Sequence, residues 1–484
     1  MPDLTTPAAI ARNYDAIRYD ALPHAASHPD NLAAVATIFG LAPPPVASAR
    51  VLEIGCNDGS NLLPMAALLP EARLVGFDIS ESAIATARET ASALRLRNIE
   101  FHVTDLTAFA DGTFDYIIAN GVYSWVPPAV RDALLAIVAR TLGANGLAFV
   151  SYNTYPGGFV RRAAWDALHW HVDALQSESE RLAAARELAE LLGDSGAVGE
   201  ASDAATRAEF KRIAAESDSA LYHDTLARPN DPVWFHEFVD HANQHGLSYV
   251  AEALPSMMAG TGLSPRMRQF LAAQSRLARE QYLDFARMRR FRQSIVCKRE
   301  AAGDFVPAPR KLLPMHVSAS MTLMRAAAEA RIPATTGADG AVLRALLARL
   351  LDVAPASLPT TQLIERLRSE PMSRPVDAIL LDAWSTGLVL AHVHPPRIAT
   401  VAGERPVAFA IARWQASRGE HVTNLRHELV RLTDASARRL LPLCDGSRDR
   451  SQLSAALRAS GDWGSSHSLD DALALFARFA LLER

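Results

Sequence analysis

Residues 51–61 read VLEIGCNDGSN, a buried strand that breaks into a small polar turn at Gly55, Asn57, Asp58 and Gly59. The run RVLEIG has the aliphatic and β-branched content of a parallel strand covered on both faces. NLLPMAALL after it reads as an apolar helix. A glycine-rich strand-to-helix turn lets backbone approach a ligand closely and aims helix N-terminal amides at it. A tight turn with no ligand is the plain alternative, and the flanking sequence decides between them.

Working outward, strand and helix signals alternate through the first 155 residues. Strands are expected at 50–55, 73–78, 98–103, 114–119 and 146–152, with helices near 60–69, 80–94 and 128–142. Ser80 resembles an N-cap and Gly143 a helix stop. The alternation predicts an α/β fold, a doubly wound, Rossmann-like parallel sheet. From 159 to 228 the pattern turns helical, and strand chemistry returns at 234–253 and 291–299, expected to complete the first sheet. The Pro-interrupted stretch 301–314 reads as a linker and the rest as mostly helical, with a possible winged-helix module at the end. The expected division is a core at 1–158, a helical insertion at 159–231, a sheet-completing region at 232–300, a helical middle domain at 315–395 and a C-terminal domain at 396–484.

The chain has 484 residues, 49% of them hydrophobic, and a net charge of −4, so it can bury large cores in two or three domains. Cys56, Cys297 and Cys444 form no CxxC, which argues for a reducing compartment and against a disulfide scaffold or zinc site. No apolar run reaches the roughly 18 residues of a membrane span. The opening lacks a signal-peptide layout, so a cytoplasmic protein that engages no membrane is expected. Residues 266–299 hold ten Lys+Arg against Glu280 and Asp284, while residues 1–155 hold 9 Arg against 15 acids. The basic stretch therefore faces the acidic first domain more readily than nucleic acid.

Glu53, Gly55, Asn57 and Gly59 end the first strand, and Asp78 ends the second, where a carboxylate can accept both hydroxyls of a ribose. Asp105 follows the third strand, placed to accept an adenine amino group. The dinucleotide GxGxxG spacing is absent, as is GxxxxGK[ST]. S-adenosylmethionine fits better than NAD or ATP.

These residues resemble the class I S-adenosylmethionine-dependent methyltransferases, and more narrowly those with a methyltransferase regulatory domain, among them bacterial lysine methyltransferases of outer-membrane proteins. The matching stretches are NYDAIRYDALPHAASHPDNLAAVATIFGL, VLEIGCNDGSNLLPMA, FDYIIANGVYSWVP, VSYNTYPG, FHEFVDHANQHGLSYVAEA and RRFRQSIVCKR, between about residues 10 and 300. IRYDALPH departs from the pattern, which expects Pro before the second Tyr and an aromatic after the later Pro. The resemblance implies methyl transfer to a protein lysine, with an outer-membrane or secreted protein before export as one expected substrate. The alternatives are a small-molecule or natural-product peptide acceptor and a non-catalytic S-adenosylmethionine-binding regulatory protein, and the oligomeric state, a homodimer being one option, stays open. It implies a cofactor site of Tyr14, Glu53, Gly55, Asn57, Gly59, Asn61, Asp78, Ile79, Asp105, Leu106, Asn120 and Gly121. Tyr123 and Trp125 are expected as aromatic walls near the sulfonium and Asn153 beside the acceptor, core packing being the alternative for the two aromatics. Tyr19 would join Tyr14 as an N-terminal lid or staple the N-terminus to the sheet. No metal is expected: His169 and His171 point to different helix faces, and His392 and His394 have no third ligand in view.

Overall fold

The computed structural model describes residues 17, 19–109, 112–196, 201–329, 337–368, 370–459 and 468–484. Its main sheet contains β1 (Arg50–Ile54), β2 (Arg73–Asp78), β3 (Ile99–Val103), β4 (Phe114–Ala119), β5 (Leu142–Asn153), β6 (Leu247–Glu252) and β7 (Phe291–Lys298). The order across the sheet is β3-β2-β1-β4-β5-β7-β6. Parallel pairing runs from β3 to β5, and β7 lies antiparallel to both β5 and β6.

Alternation of side chains along a strand sorts the core into two layers. Val51, Tyr116, Ile118, Leu147 and Phe149 pack with helices Pro29–Ile38, Leu62–Leu68 and Glu81–Ala93. Leu52, Ile54, Ile117, Ala148 and Val150 face the other way, onto helices Pro128–Thr141 and Phe235–Gln244. Both faces are covered, which is why β1 reads as one apolar run. Between β5 and β6, helices Gly158–Val172, Glu178–Gly193 and Ala201–Ala214 gather a separate apolar core around Ala164, Leu168, Ala185, Phe210 and Ile213.

Three features depart from the sequence expectation. Helix Pro128–Thr141 passes directly into β5, so Gly143 lies inside a strand rather than stopping a helix. Gly146 sits where an added Cβ would meet the Asp115 carbonyl oxygen at 3.0 Å, so close strand packing accounts for glycine there. The 301–314 stretch is anchored: the Ala308 amide donates to the Ile38 carbonyl (3.0 Å), and Phe305 and Leu312 are buried. The middle region contains a three-stranded antiparallel sheet of His316–Ala319, Ser357–Pro359 and Val389–His392. Strands of three or four residues carry too little periodicity to be read from sequence.

The C-terminal region pairs His421–Thr423 with Leu429–Arg431 as a hairpin among short helices. Its core residues, Phe476 and Leu453 among them, merge with the layer over helix Pro29–Ile38. That helix also carries Asp30, which accepts from the Val393 and His394 amides (2.8 and 2.6 Å) and pairs with His392 Nδ1 at 2.8 Å.

Candidate functional site

In an open parallel sheet, ligands bind beyond the strand C-termini where the order reverses, here between β1 and β4. A cavity of about 280 Å³ lies there. Glu53, Gly55, Asn57, Asn61, Asp78, Ile79, Asp105, Leu106, Asn120, Gly121 and Trp125 border it.

Local chemistry fixes each group. Gly55 has φ +70°, and a Cβ there would come within 2.9 Å of Val122 Cγ2. The amides of Gly55 and Cys56 both donate to the Phe77 carbonyl, tying the turn to β2. Asp78 accepts from the Asn57 amide (2.9 Å) and the Ser80 amide (3.0 Å), which sets its carboxylate between the glycine turn and the next helix. Asp105 accepts from the Thr107 amide at 2.8 Å and from its hydroxyl. Ser151 Oγ accepts from the Gly121 amide (2.8 Å) and donates to Asn120 Oδ1 (3.0 Å), joining the ends of β4 and β5.

Glu53 is the unusual member. It is buried, and Oε1 accepts from Asn61 Nδ2 at 2.6 Å, yet Oε2 has no hydrogen-bond partner. Burial pushes its carboxyl up to about 8, the nearby Asp78 and Asp58 adding to the rise against the Asn61 bond. Such an orphaned oxygen suits a cation supplied from outside.

The helical insertion adds two residues that no sequence signal singled out, and the N-terminus brings His24 and the expected lid residue Tyr19. His223 and Asp224 border the cavity, as do His24 and Tyr19. Tyr19 meets His223 edge-to-face at 5.4 Å, and burial raises its phenol. Burial holds the Asp224 carboxyl up at about 6. Among the described residues, four carboxyl groups (Glu53, Asp78, Asp105, Asp224) and no Lys or Arg border the cavity. A pyrophosphate would be repelled; a ligand with cationic centres, hydroxyls and an amino group would not. The donor set therefore fits S-adenosylmethionine.

Three expected site residues lie elsewhere, and Tyr14 is outside the described residues. Gly59 does not border the cavity; at φ +75° its missing Cβ leaves room for Phe101, 2.7 Å from the position a Cβ would take. Tyr123 is 2% exposed and packs in the core against Phe238 and Tyr152, with its hydroxyl 2.8 Å from His241 Nδ1. Asn153 is buried beneath the end of β5, its amide donating to Ser124 Oγ and its Nδ2 to Asn230 Oδ1 (2.6 Å). Sequence offset along GVYSWVP cannot tell which aromatic faces in; the short 3₁₀ turn Tyr123–Trp125 sends Tyr123 to the core and leaves Trp125 at the cavity. Among the described residues, Asp132, His241 and His245 bring ligand-type atoms within 4.8 Å of one another, already bonded together with Asp132 Oδ1 2.9 Å from His245 Nε2.

Comparison with known proteins agrees with this geometry. Residues 51–146 match a methyltransferase domain, 217–298 a predicted methyltransferase regulatory domain, and 404–473 the C-terminal winged helix domain of PKMT. The uncharacterized protein RP028 of Rickettsia prowazekii is 31% identical over 240 residues, covering 48% of this chain and 94% of that protein. The uncharacterized protein RP789 of the same organism is 38% identical over 288 residues, 59% of this chain, which spans about half (52%) of that relative's length. PKMT2 from Rickettsia typhi superposes with a TM-score of 0.83 at 22% identity, covering 96% of this chain and 100% of that one. The same protein in complex with AdoHcy gives 0.81, covering 96% and 99%.

Proposed function

The chain belongs to the class I S-adenosylmethionine-dependent methyltransferases that carry a methyltransferase regulatory domain, and from that premise we propose that it methylates lysine side chains of a protein substrate. The observation that carries the cofactor reading is the cavity at the switch point, bordered among the described residues by four carboxyl groups and by no Lys or Arg. In this reading Glu53 accepts the α-ammonium, Asp78 the ribose hydroxyls and Asp105 the adenine amino group. Asn57, Ile79, Leu106, Asn120 and Gly121 complete the walls.

When bound, the cofactor supplies a methyl carbon activated by a sulfonium leaving group. The protein's part is position and a dry entrance. A lysine amine attacks only as the free base, against an ordinary pKa of about 10.4. Leu22, Val122, Trp125, Val126, Pro127 and Val130 give the cavity an apolar side that disfavours the ammonium and so eases proton loss. Bound there, the cofactor would supply the methyl group and its sulfur would take the leaving electron pair, while the apolar walls of the chain would hold the free amine in line.

The similarity of the C-terminal region to the PKMT winged helix domain supports a protein as acceptor. We further propose an outer-membrane or secreted protein before export as that acceptor, and a homodimer. Among the described residues no helix is long and apolar enough to cross a membrane. Incubating the purified chain with methyl-labelled S-adenosylmethionine and bacterial lysate tests the reading. Label is expected in acid-hydrolysed protein as methyl-lysine; label confined to small molecules would refute the protein acceptor.

A further inference from the structure

We propose that His427, carried by the C-terminal module, is a positioning residue of the cofactor cavity, holding Asn61 and through it Glu53. This inference rests on the cavity being the S-adenosylmethionine site.

The turn between the two hairpin strands is tied by one side chain. Asn424 Oδ1 accepts from the amides of Arg426 and Glu428, both at 2.9 Å, while its Nδ2 donates to the Phe479 carbonyl at 3.1 Å. The turn places His427 at φ +59°, the left-handed region that a non-glycine residue enters at a cost. In return its ring, 2% exposed, reaches the catalytic core. Nε2 lies 2.8 Å from Asn61 Oδ1. The same Oδ1 accepts from the His24 amide at 2.9 Å, which identifies it as the carbonyl end and makes His427 Nε2 the donor. Asn61 Nδ2 then donates to Glu53 Oε1. Rotating the Asn61 amide by half a turn would set its nitrogen against two donors, the His24 amide and His427 Nε2. His427 supplies one of the two hydrogens that forbid that rotation. Burial keeps its imidazole neutral, far below its ordinary range, so the donor does not change with pH in the working range.

The consequence is that the winged-helix module is part of the cofactor site, although none of the cofactor motifs lies in it. Attachment of the C-terminal regions to the core has other supports, notably Asp30 with His392, so the role of His427 can be separated from docking.

The test is calorimetric titration of S-adenosylhomocysteine into the full chain, alongside thermal melting without ligand. Replacing His427 by Ala leaves Asn61 Oδ1 with the His24 amide as its one donor and frees the side chain to shift, and His427→Ala is expected to weaken binding about tenfold. His427→Gln, whose terminal amide donates from a similar reach, is expected to stay within about threefold of the native chain. Asp30→Asn is expected to lower the melting temperature and leave the affinity unchanged. Native affinity in His427→Ala overturns the proposal, as does a folded His427→Gln that binds as weakly as His427→Ala, or an Asp30→Asn that loses as much affinity as His427→Ala. A native chain that does not bind S-adenosylhomocysteine is a different failure, removing the cofactor reading itself.

Discussion

Two buried glutamates sit near the C-terminal ends of strands in the same sheet, Glu53 on β1 and Glu252 on β6, and they are treated in opposite ways. Glu252 meets Arg292 Nη1 at 2.6 Å and accepts from the Gln293 amide and the Ser294 hydroxyl, each at 2.9 Å. Arg292 is fully buried and also grips Asp284 through Nε and Nη2 (2.9 and 2.8 Å), with the Glu280 carbonyl at 3.0 Å. Burial raises the Glu252 carboxyl, but Arg292, Arg289 and the Gln293 amide more than offset it, and the net shift is downward. Glu53 has one amide partner, one orphaned oxygen and no cation. A carboxylate that folding completes is structural; one that folding leaves incomplete is prepared for a ligand.

That contrast breaks first at Arg292. Arg292→Ala would take Glu252's ion pair and leave Glu280 and Asp284 to Arg289, a loss of about 3–5 kcal/mol by comparison with other broken buried pairs. We expect failure to fold or a large fall in melting temperature; a variant melting like the native chain would show that the acids are neutral without it. Asp78→Ala comes next. It removes a charged acceptor worth about 1.5–3 kcal/mol, so S-adenosylmethionine affinity should fall at least tenfold in a calorimetric titration. Equal affinity would exclude Asp78 from the site.

The third expectation concerns Glu53 and pH. Its folded carboxyl holds a proton up to about 8, whereas in an unfolded chain it ionises near pH ~4.3. Between those values the unfolded state binds fewer protons, so this group's contribution is fully present below the lower value and is lost as pH rises toward 8. Ligand-free protein should lose melting temperature from pH 5 to 8 more steeply than Glu53→Gln, which should in turn bind cofactor more weakly. Parallel profiles in the two proteins would contradict an unpaired Glu53. The smallest effect is expected at Tyr123→Phe. Losing the bond to His241 should cost about 1 kcal/mol of stability and leave the rate of methyl transfer within twofold. A tenfold slower variant would return Tyr123 to the catalytic wall.

The basic stretch 266–299 shows why charge counts mislead. Arg287 donates to the carbonyls of Met257 and Thr261, each at 3.1 Å, and Arg289 and Arg292 are buried among acids. Much of what reads as a basic face is internal wiring, and only coordinates distinguish the two.

The sequence alone determined the features whose causes are local. The glycine turn after β1, the acid ending β2, the acid after β3 and the five alternating strands are each written in contiguous residues, because a strand covered on both faces must be apolar and a tight turn must be small. Asp78, Asp105 and Asn57, expected at a site for that reason, border the cavity. Tertiary structure decided the rest. Tyr123 and Trp125 stand two residues apart and part company according to a turn and a neighbouring helix. His223 and Asp224 enter the site from a helical insertion with no motif. The Asn61–His427 bond joins residues 366 apart, so no local pattern announces it. Hydrogen bonds between distant segments depend on how whole layers pack, and that packing is what brings His427 of the C-terminal module to Asn61.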